Sequence, residues 1–467
     1  MRIIVALAML GGCSLAPQYE RPTPAIPPTW PAGDAYMKTT EAMLPKLSYR
    51  DIFRAPALQI LIERALANNQ DLKLALANVA VVRGQLRVQR AQVLPRIDGS
   101  AGVSADKRSD RSSSGAGGSS DNGDRMSTIY ELGVGLTAFE LDLFGRLRSL
   151  NESALQDYLA SEAGVRATRL TLVAEVANAY LRIAADRSLL TIARDTAATA
   201  ERSVELTRAR LAGGIAPRSD LRQAETVLAQ AQSDLASLTT IVAQGRNALE
   251  LLVGSPVSEA ELAPSIESID GMLAELPTGL DSYILLRRPD VLQAEYQLRS
   301  FNALIGAARA AFFPRITLTA ATGLTSTALS SLFTAGAFSW TVQPSLLLPI
   351  FDGGANQGNL EASIALREAA TARYQKTIQT AFREVADALA RRGTIDDQFE
   401  AQTRLEEAAR DNYELANARY RQGVESYLST LDAQRTLYSA RRSLVSTWLV
   451  RAESLVELYR TIGGDAV

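Results

Sequence analysis

Residues 313–321, Phe-Pro-Arg-Ile-Thr-Leu-Thr-Ala-Ala, change from a helical to a strand pattern at Pro314. The residues before Pro314 are rich in Ala, Leu and Arg, which favour helix, and a proline disfavours helix at the residue that precedes it. From Ile316 onward, apolar and polar residues alternate with the period of a strand. The same switch occurs 219 residues earlier, in Leu94-Pro95-Arg96-Ile97. The chain is therefore predicted to contain this helix-to-strand unit twice.

Four segments alternate in this way, two in each half of the chain. They are residues 97–107, 127–139, 316–325 and 338–350. Strands of about ten residues with one apolar and one polar face span a bilayer when they are tilted. Because lipid does not tolerate the open edges of a four-stranded sheet, the chain is expected to oligomerise. Three copies would give a twelve-stranded barrel, although strand arithmetic alone also allows two copies.

Long helices follow the strands in both halves. Residues 145–211 and 354–422 have helical 3/4 spacing without a proline, and a helix of this length measures roughly 100 Å. Such a length exceeds any globular core and predicts a coiled coil or a helical barrel. After turns at Gly214 and Gly423, residues 221–253 and 424–462 are predicted to run back as the second helices of two hairpins. Shorter helices are predicted for residues 57–93 and 287–312.

Two further landmarks confirm that the sequence is internally duplicated. Glu175-Val176-Ala177-Asn178-Ala179 recurs 209 residues later as Glu384-Val385-Ala386-Asp387-Ala388, and the turn sequence around Gly214 recurs around Gly423 with the same displacement. The predicted organisation is a signal peptide (1–12), an N-terminal tether (13–54), a first repeat (55–255), a connector (256–286), a second repeat (287–462) and a tail (463–467). Residues 108–125, between the first two strands, are predicted to form a solvent-exposed loop.

The N-terminus has the pattern of a bacterial lipoprotein signal. Met1-Arg2 and an apolar run end in Leu10-Gly11-Gly12-Cys13, which resembles a lipobox. Cys13 is predicted to carry a diacylglycerol and an N-acyl chain. The competing interpretation is a buried free thiol, the usual state of a lone cysteine. Residues 17–31 contain six prolines and are predicted to be extended.

Composition excludes several classes of function. The 467 residues include no histidine and one cysteine, so histidine-dependent catalysis and a four-cysteine metal site are excluded. The 49 basic and 51 acidic residues give a net charge of −2, without the basic surplus of a nucleic-acid-binding protein. The chain is predicted not to be an enzyme and to need no cofactor apart from the lipid.

Together these features resemble the outer-membrane factors of tripartite efflux systems. The residues that carry the resemblance to this TolC-like family, and to its OprM/NodT-type lipoprotein branch, are Cys13, the run Leu286-Arg287-Arg288-Pro289-Asp290-Val291, the Phe313–Ile316 step and the turn glycines Gly214 and Gly423. The resemblance implies a mainly α protein with transmembrane β-strands. In this architecture a homotrimeric twelve-stranded barrel in the outer membrane is continued by a long α-helical barrel in the periplasm.

The resemblance also implies a function and partners. The trimer would be a passive exit duct for drugs or other toxic small molecules. It would act with a periplasmic adaptor protein and an inner-membrane pump of the RND type. It would contact outer-membrane lipid and no nucleic acid.

The resemblance further implies a gate at the periplasmic helix turns. Position by position around Gly214 and Gly423, it predicts that Asp220 pairs with Arg419 and Tyr420 to hold the helices closed. Rings of Leu428 and Asp432 would form the narrowest points, and opposed aspartates would favour cations. A solvated helix face is the alternative for each of these charges, and coiled-coil core is the alternative for Leu428.

Three other functions compete with efflux. The same fold could serve type I protein secretion. A lipid-anchored coiled-coil surface protein would share the anchor and the helices but would not need four amphipathic strands. A carboxylate-dependent hydrolase would need a globular pocket domain, for which no segment remains.

Overall fold

The computed structural model describes residues 14–36, 48–107, 126–269, 271, 273 and 282–464. The predicted signal peptide, Cys13 and the loop 108–125 lie outside these residues. The helices are α1 (Tyr49–Ile52), α2 (Pro56–Asn68), α3 (Gln70–Ala91), α4 (Arg146–Ala212), α5 (Arg218–Val253), α6 (Pro289–Ala310), α7 (Ala355–Arg421) and α8 (Tyr427–Thr461). The strands are β1 (Ile97–Lys107), β2 (Met126–Glu140), β3 (Arg315–Ser326) and β4 (Phe338–Leu347).

The chain divides into two compact units, and each contains parts of both repeats. The first comprises the described residues of Met1–Pro22, Ala80–Ala160 and Glu295–Ala372. The second comprises those of Thr23–Val79, Ser161–Ala294 and Arg373–Val467.

The first unit contains one antiparallel sheet in the order β1-β2-β3-β4. Its register aligns Ala101 with Leu132, Leu132 with Leu324, and Leu324 with Phe338, so these side chains share one face. That face is apolar across all four strands and includes Ile97, Val103, Leu132, Val134, Leu136, Ile316, Leu318, Leu324, Phe338, Trp340, Val342 and Leu346. The opposite face is polar and includes Asp98, Ser100, Ser104, Asp106, Glu131, Thr317, Thr319, Thr325, Ser339, Thr341, Gln343 and Ser345.

The apolar face of the sheet is uncovered in the single chain. Trp340 is 71% exposed and Phe338 is 66% exposed. The outer edges of β1 and β4 have no paired strand among the described residues. The sheet therefore presents two unpaired backbone edges together with a broad apolar surface.

Carboxylates cap the starts of both long helices. Asp142 accepts hydrogen bonds from the backbone N–H groups of Leu147 (3.1 Å) and Arg148 (2.9 Å) at the start of α4. Asp352 does the same for Gly354 and Asn356 at the start of α7, both at 2.9 Å. These bonds satisfy N–H groups that have no partner within a helix, and the negative charge suits the positive end of the helix dipole.

The predicted helix 57–93 is two helices, which is the main difference from the sequence prediction. The Asn69 side chain accepts a hydrogen bond from the backbone N–H of Leu72 at 3.0 Å and caps α3. Periodicity alone does not detect this break because only one residue, Asn69, separates the two helices. The fourth strand is also shorter than predicted and ends at Leu347, two residues before Pro349.

The proline-rich N-terminal segment is extended, and parts of it lie against helices. In the first unit, Asn302 on α6 donates a hydrogen bond to the carbonyl of Pro17 at 2.8 Å. Arg21 forms a bidentate ion pair with Glu295. In the second unit, Trp30 stacks on Phe382 with ring centres 5.0 Å apart. The segment predicted as a tether is therefore held along much of its described length.

The second unit contains residues 161–253 and 373–461 of the two helix hairpins and a core that joins them to α1 and α2. Phe53 and Tyr459 are fully buried and meet edge to face, with ring centres 5.5 Å apart. Among the described residues, no helix has both the length and the hydropathy needed to cross a lipid bilayer.

Candidate functional site

The two hairpin turns that were predicted to form the gate have the same backbone geometry. Gly214 has φ = +70° and Gly423 has φ = +79°. The N–H of Gly214 bonds to the carbonyl of Leu211, and the N–H of Ile215 bonds to that of Arg210, which is the Schellman arrangement. Equivalent bonds surround Gly423. Glycine suits both positions because a side chain disfavours positive φ.

Behind the turns, a tip cluster connects the four helices of both hairpins. We define the tip cluster as Val204 from α4, Leu221 and Ala224 from α5, Tyr420 from α7, and Tyr427 and Leu431 from α8, all of them buried. The rings of Tyr420 and Tyr427 lie 5.3 Å apart. Burial, together with the nearby Tyr420 and Asp220, raises the pKa of Tyr427 to about 12. The turn ends of the two hairpins are therefore packed against each other.

Arg210 provides a polar link between the two turns. Its guanidinium lies 4.2 Å from the centre of the Tyr420 ring. It also donates hydrogen bonds to the carbonyls of Tyr420 and Arg421, both at 3.1 Å. These carbonyls are at the C-terminal end of α7, where a cation is stabilised by the helix dipole. Arg210 is not among the residues predicted from the sequence, although its displacement of 209 residues from Arg419 makes the two equivalent.

The predicted Asp220–Arg419 contact is not formed within the single chain. Arg419 instead pairs with Glu425 at 2.9 Å, across its own turn, where a short connection keeps the two groups close. Asp220 lies in the first turn of α5 and accepts a hydrogen bond from Ser219 at 3.3 Å. The buried hydroxyl of Tyr420 has no hydrogen-bond partner among the described residues. A contact of Asp220 with Arg419 or Tyr420 of another copy stays a prediction.

The predicted constriction residues share one exposed face of α8. Leu428 and Asp432 are four residues apart, so their side chains are neighbours on the helix surface, and both are exposed. Leu428 also borders a groove of about 590 Å³ between α5 and α8. Within this groove the Tyr438 hydroxyl donates to Asp234 at 2.8 Å and links the second helices of the hairpins. The burial of Tyr438 and its bond to Asp234 raise its pKa to about 12.

The turn ends of the hairpins are thus packed together and joined by polar contacts. In the described ranges, no group of three or more Asp, Glu or Cys residues could hold a metal. Cys13, the predicted lipid site, lies outside the described ranges.

A family model described as outer membrane efflux protein matches residues 61–255 and residues 281–464. The two matches coincide with the two halves of the duplicated chain.

Individual relatives match nearly the whole chain. It is 42% identical over 467 residues to the probable efflux pump outer membrane protein TtgC of Pseudomonas putida, with coverage of 99% of this chain and 95% of the relative. It is 39% identical over 462 residues to the outer membrane protein OprJ of Pseudomonas aeruginosa, with the same coverages. The open-state crystal structure of the MtrE outer membrane channel of Neisseria gonorrhoeae superposes with a TM-score of 0.85 at 34% identity, covering 97% of this chain and 99% of that channel.

Proposed function

Because this chain belongs to the outer membrane efflux protein family, we propose that three copies form a passive exit duct in the outer membrane for small toxic compounds. The observation that carries the proposal is the two-faced sheet, whose register places apolar residues on one face of all four strands. An uncovered apolar face of this kind suits lipid, and a polar face suits an aqueous lumen.

The unpaired edges of β1 and β4 support assembly. In lipid, unpaired backbone N–H and C=O groups are costly, so the edge strand β1 of one copy would pair with β4 of the next. With four strands per chain, three copies close a twelve-stranded barrel. We expect the detergent-solubilised protein to have three times the mass of one chain by light scattering, after subtraction of the detergent. A mass of one or two chains would contradict this assembly.

The lipid anchor rests on the sequence around Cys13. Growth with an alkyne analogue of palmitate should label the wild-type protein and leave Cys13→Ser unlabelled. Equal labelling of the two proteins would refute lipidation at this position.

The gate proposal rests on the helix turns. The tip cluster and Arg210 hold the two hairpins of one copy together, and the exposed Leu428 and Asp432 are available to face the same residues of other copies. In this arrangement Asp220 and Arg419 would link neighbouring copies. The chain itself performs no chemistry, and the energy for transport would come from an inner-membrane pump, of the RND type, joined through a periplasmic adaptor.

The names of the relatives indicate a substrate class. They include toluene, solvent and antibiotic efflux pump proteins. We therefore expect deletion of the gene to increase sensitivity to organic solvents or antibiotics at least fourfold, with recovery on complementation. Unchanged sensitivity together with loss of a secreted protein would favour type I secretion instead.

A further inference from the structure

The duplicated helices allow the two repeats to be compared residue by residue. Helices α4 and α7 each contain 67 residues, and α3 and α6 each contain 22. The displacements of 209 and 219 residues therefore hold along the whole of each pair. They make Asp71 equivalent to Asp290, and Glu175 equivalent to Glu384.

In the second repeat, Asp290 and Glu384 bind a buried guanidinium. Arg288 is 7% exposed and donates two hydrogen bonds to Asp290, at 3.0 and 2.8 Å, and one to Glu384 at 3.0 Å. A fourth bond, of 2.7 Å, reaches the carbonyl of Thr461 at the end of α8. Arg460 lies 3.6 Å from Glu384 and adds a second positive charge. The Arg-Arg-Pro-Asp motif thus builds a neutralised cluster.

The first repeat keeps the hydrogen bond to a carbonyl at the end of the neighbouring helix, but it has no cation at this position. Asn69 occupies the position of Arg288, and its amide donates to the carbonyl of Leu252 at 3.0 Å. Leu252 is the equivalent of Thr461, so the bond to the end of the neighbouring helix is conserved between the repeats. An asparagine carries no charge, so Asn69 supplies no positive charge to Asp71 and Glu175.

Among the described residues, Asp71 and Glu175 consequently lack a positive partner. Leu251, an exposed apolar side chain, stands at the position of Arg460. No ion pair to Asp71 or Glu175 occurs among the residues that the structure describes. Burial raises the pKa of Glu175, and the negative charge of Asp71 raises it further.

An open cavity borders both carboxylates. It has a volume of about 570 Å³, and its walls include Asp71, Glu175, Gly164 and Val165. In the second repeat, the position of Val165 is held by Tyr374, which is fully buried. Small side chains in the first repeat therefore leave space beside the two uncompensated carboxylates.

We propose that Asp71 and Glu175 form a binding site for a guanidinium group, in the manner in which Asp290 and Glu384 hold Arg288. Two carboxylates suit this ligand because a planar guanidinium donates several charge-assisted hydrogen bonds at once. The group comes either from a soluble ligand or from an arginine side chain of a second copy of the chain.

Calorimetric titration of the purified full-length protein with agmatine, a small guanidinium compound, tests the soluble source. Binding should weaken at least tenfold in the double variant Asp71→Asn/Glu175→Gln. Asp186→Asn is the matched control, because Asp186 is another carboxyl group on α4 whose pKa is raised by burial. Asn69→Arg should abolish agmatine binding, because it supplies the guanidinium from within the chain.

The second source predicts a different pattern. If an arginine of another copy fills the site, wild-type oligomers do not bind agmatine, and the double variant melts at a lower temperature than Asp186→Asn. The proposal is overturned if the double variant binds agmatine like the wild type. It is also overturned if wild-type protein binds no agmatine and the double variant melts like the control, or if Ca²⁺ binds in preference to agmatine.

Discussion

Arg210 and Arg419 occupy equivalent positions in the two repeats and have different partners. Arg210 lies over the Tyr420 ring and bonds to two carbonyls of the other hairpin. Arg419 reaches only across its own turn to Glu425, and its side chain is 63% exposed. The connection between the hairpins of one chain therefore depends on Arg210, whereas Arg419 is more available to a neighbouring copy.

Arg210→Ala should loosen the hairpin tips within one chain. The lost cation–π contact and charged hydrogen bonds together stabilise this region by about 1–3 kcal/mol. We expect hydrogen exchange, followed by mass spectrometry, to accelerate roughly tenfold or more in the turns around Gly214 and Gly423. Arg419→Ala is the matched control, because an exposed ion pair contributes about 0–1 kcal/mol. Equal exchange in the two variants would argue against the role of Arg210.

Tyr427 should make the tip cluster sensitive to alkaline pH. The pKa is raised from 10.0 in the unfolded chain to about 12 in the fold, so the contribution to stability is complete below pH 10 and is lost as the pH rises toward 12. Two pKa units correspond to at most about 3 kcal/mol. Between pH 8 and pH 11, the melting temperature of wild-type protein should therefore fall further than that of Tyr427→Phe. Parallel falls in the two proteins would show that ionisation of Tyr427 does not contribute.

At the level of elements, the helix ends depend on backbone conformation as much as on side chains. Both hairpins turn at a glycine with positive φ, and in each case a Cβ added at that position would meet nothing within 4 Å. Any cost of substitution at Gly214 or Gly423 is therefore conformational and not steric.

Gly214→Ala should destabilise the first turn by about 1–2 kcal/mol, because alanine disfavours the left-handed conformation. Gly213→Ala is a matched control at the adjacent residue, where a Cβ would make an ordinary contact of 3.5 Å with the carbonyl of Ala209. Limited proteolysis should cut the Gly214→Ala turn several times faster than wild type and leave Gly213→Ala close to wild type. Equal cleavage of the two variants would contradict the conformational argument.

Periodicity predicts the long elements well and the short-range exceptions poorly. The strands and the 67-residue helices α4 and α7 repeat their pattern over many residues, and the structure has them within a few residues of the predicted positions. The break at Asn69 depends on a single side-chain hydrogen bond, which leaves no periodic signal. At the candidate gate, the repeated turn sequence around Gly214 and Gly423 predicts the positions of both turns. The partners of Arg210 depend on packing between segments about 210 residues apart, which no local pattern specifies.

For the molecule as a whole, the single chain leaves two surfaces unsatisfied. The apolar face of the sheet is exposed, and the edges of β1 and β4 lack neighbouring strands. Insertion in lipid would cover the face, and closure with other copies would pair the edges. Membrane insertion and assembly would therefore be coupled steps of folding.

Single-channel recording in planar bilayers tests the central claim, that this chain forms a gated duct, most directly. The purified wild-type protein should give stepwise, cation-selective currents. The variant Asp220→Ala/Arg419→Ala should give a larger unitary conductance because it removes the proposed links between copies. Unchanged conductance in the double variant would contradict the gate, and the absence of stepwise currents from both proteins would contradict the duct.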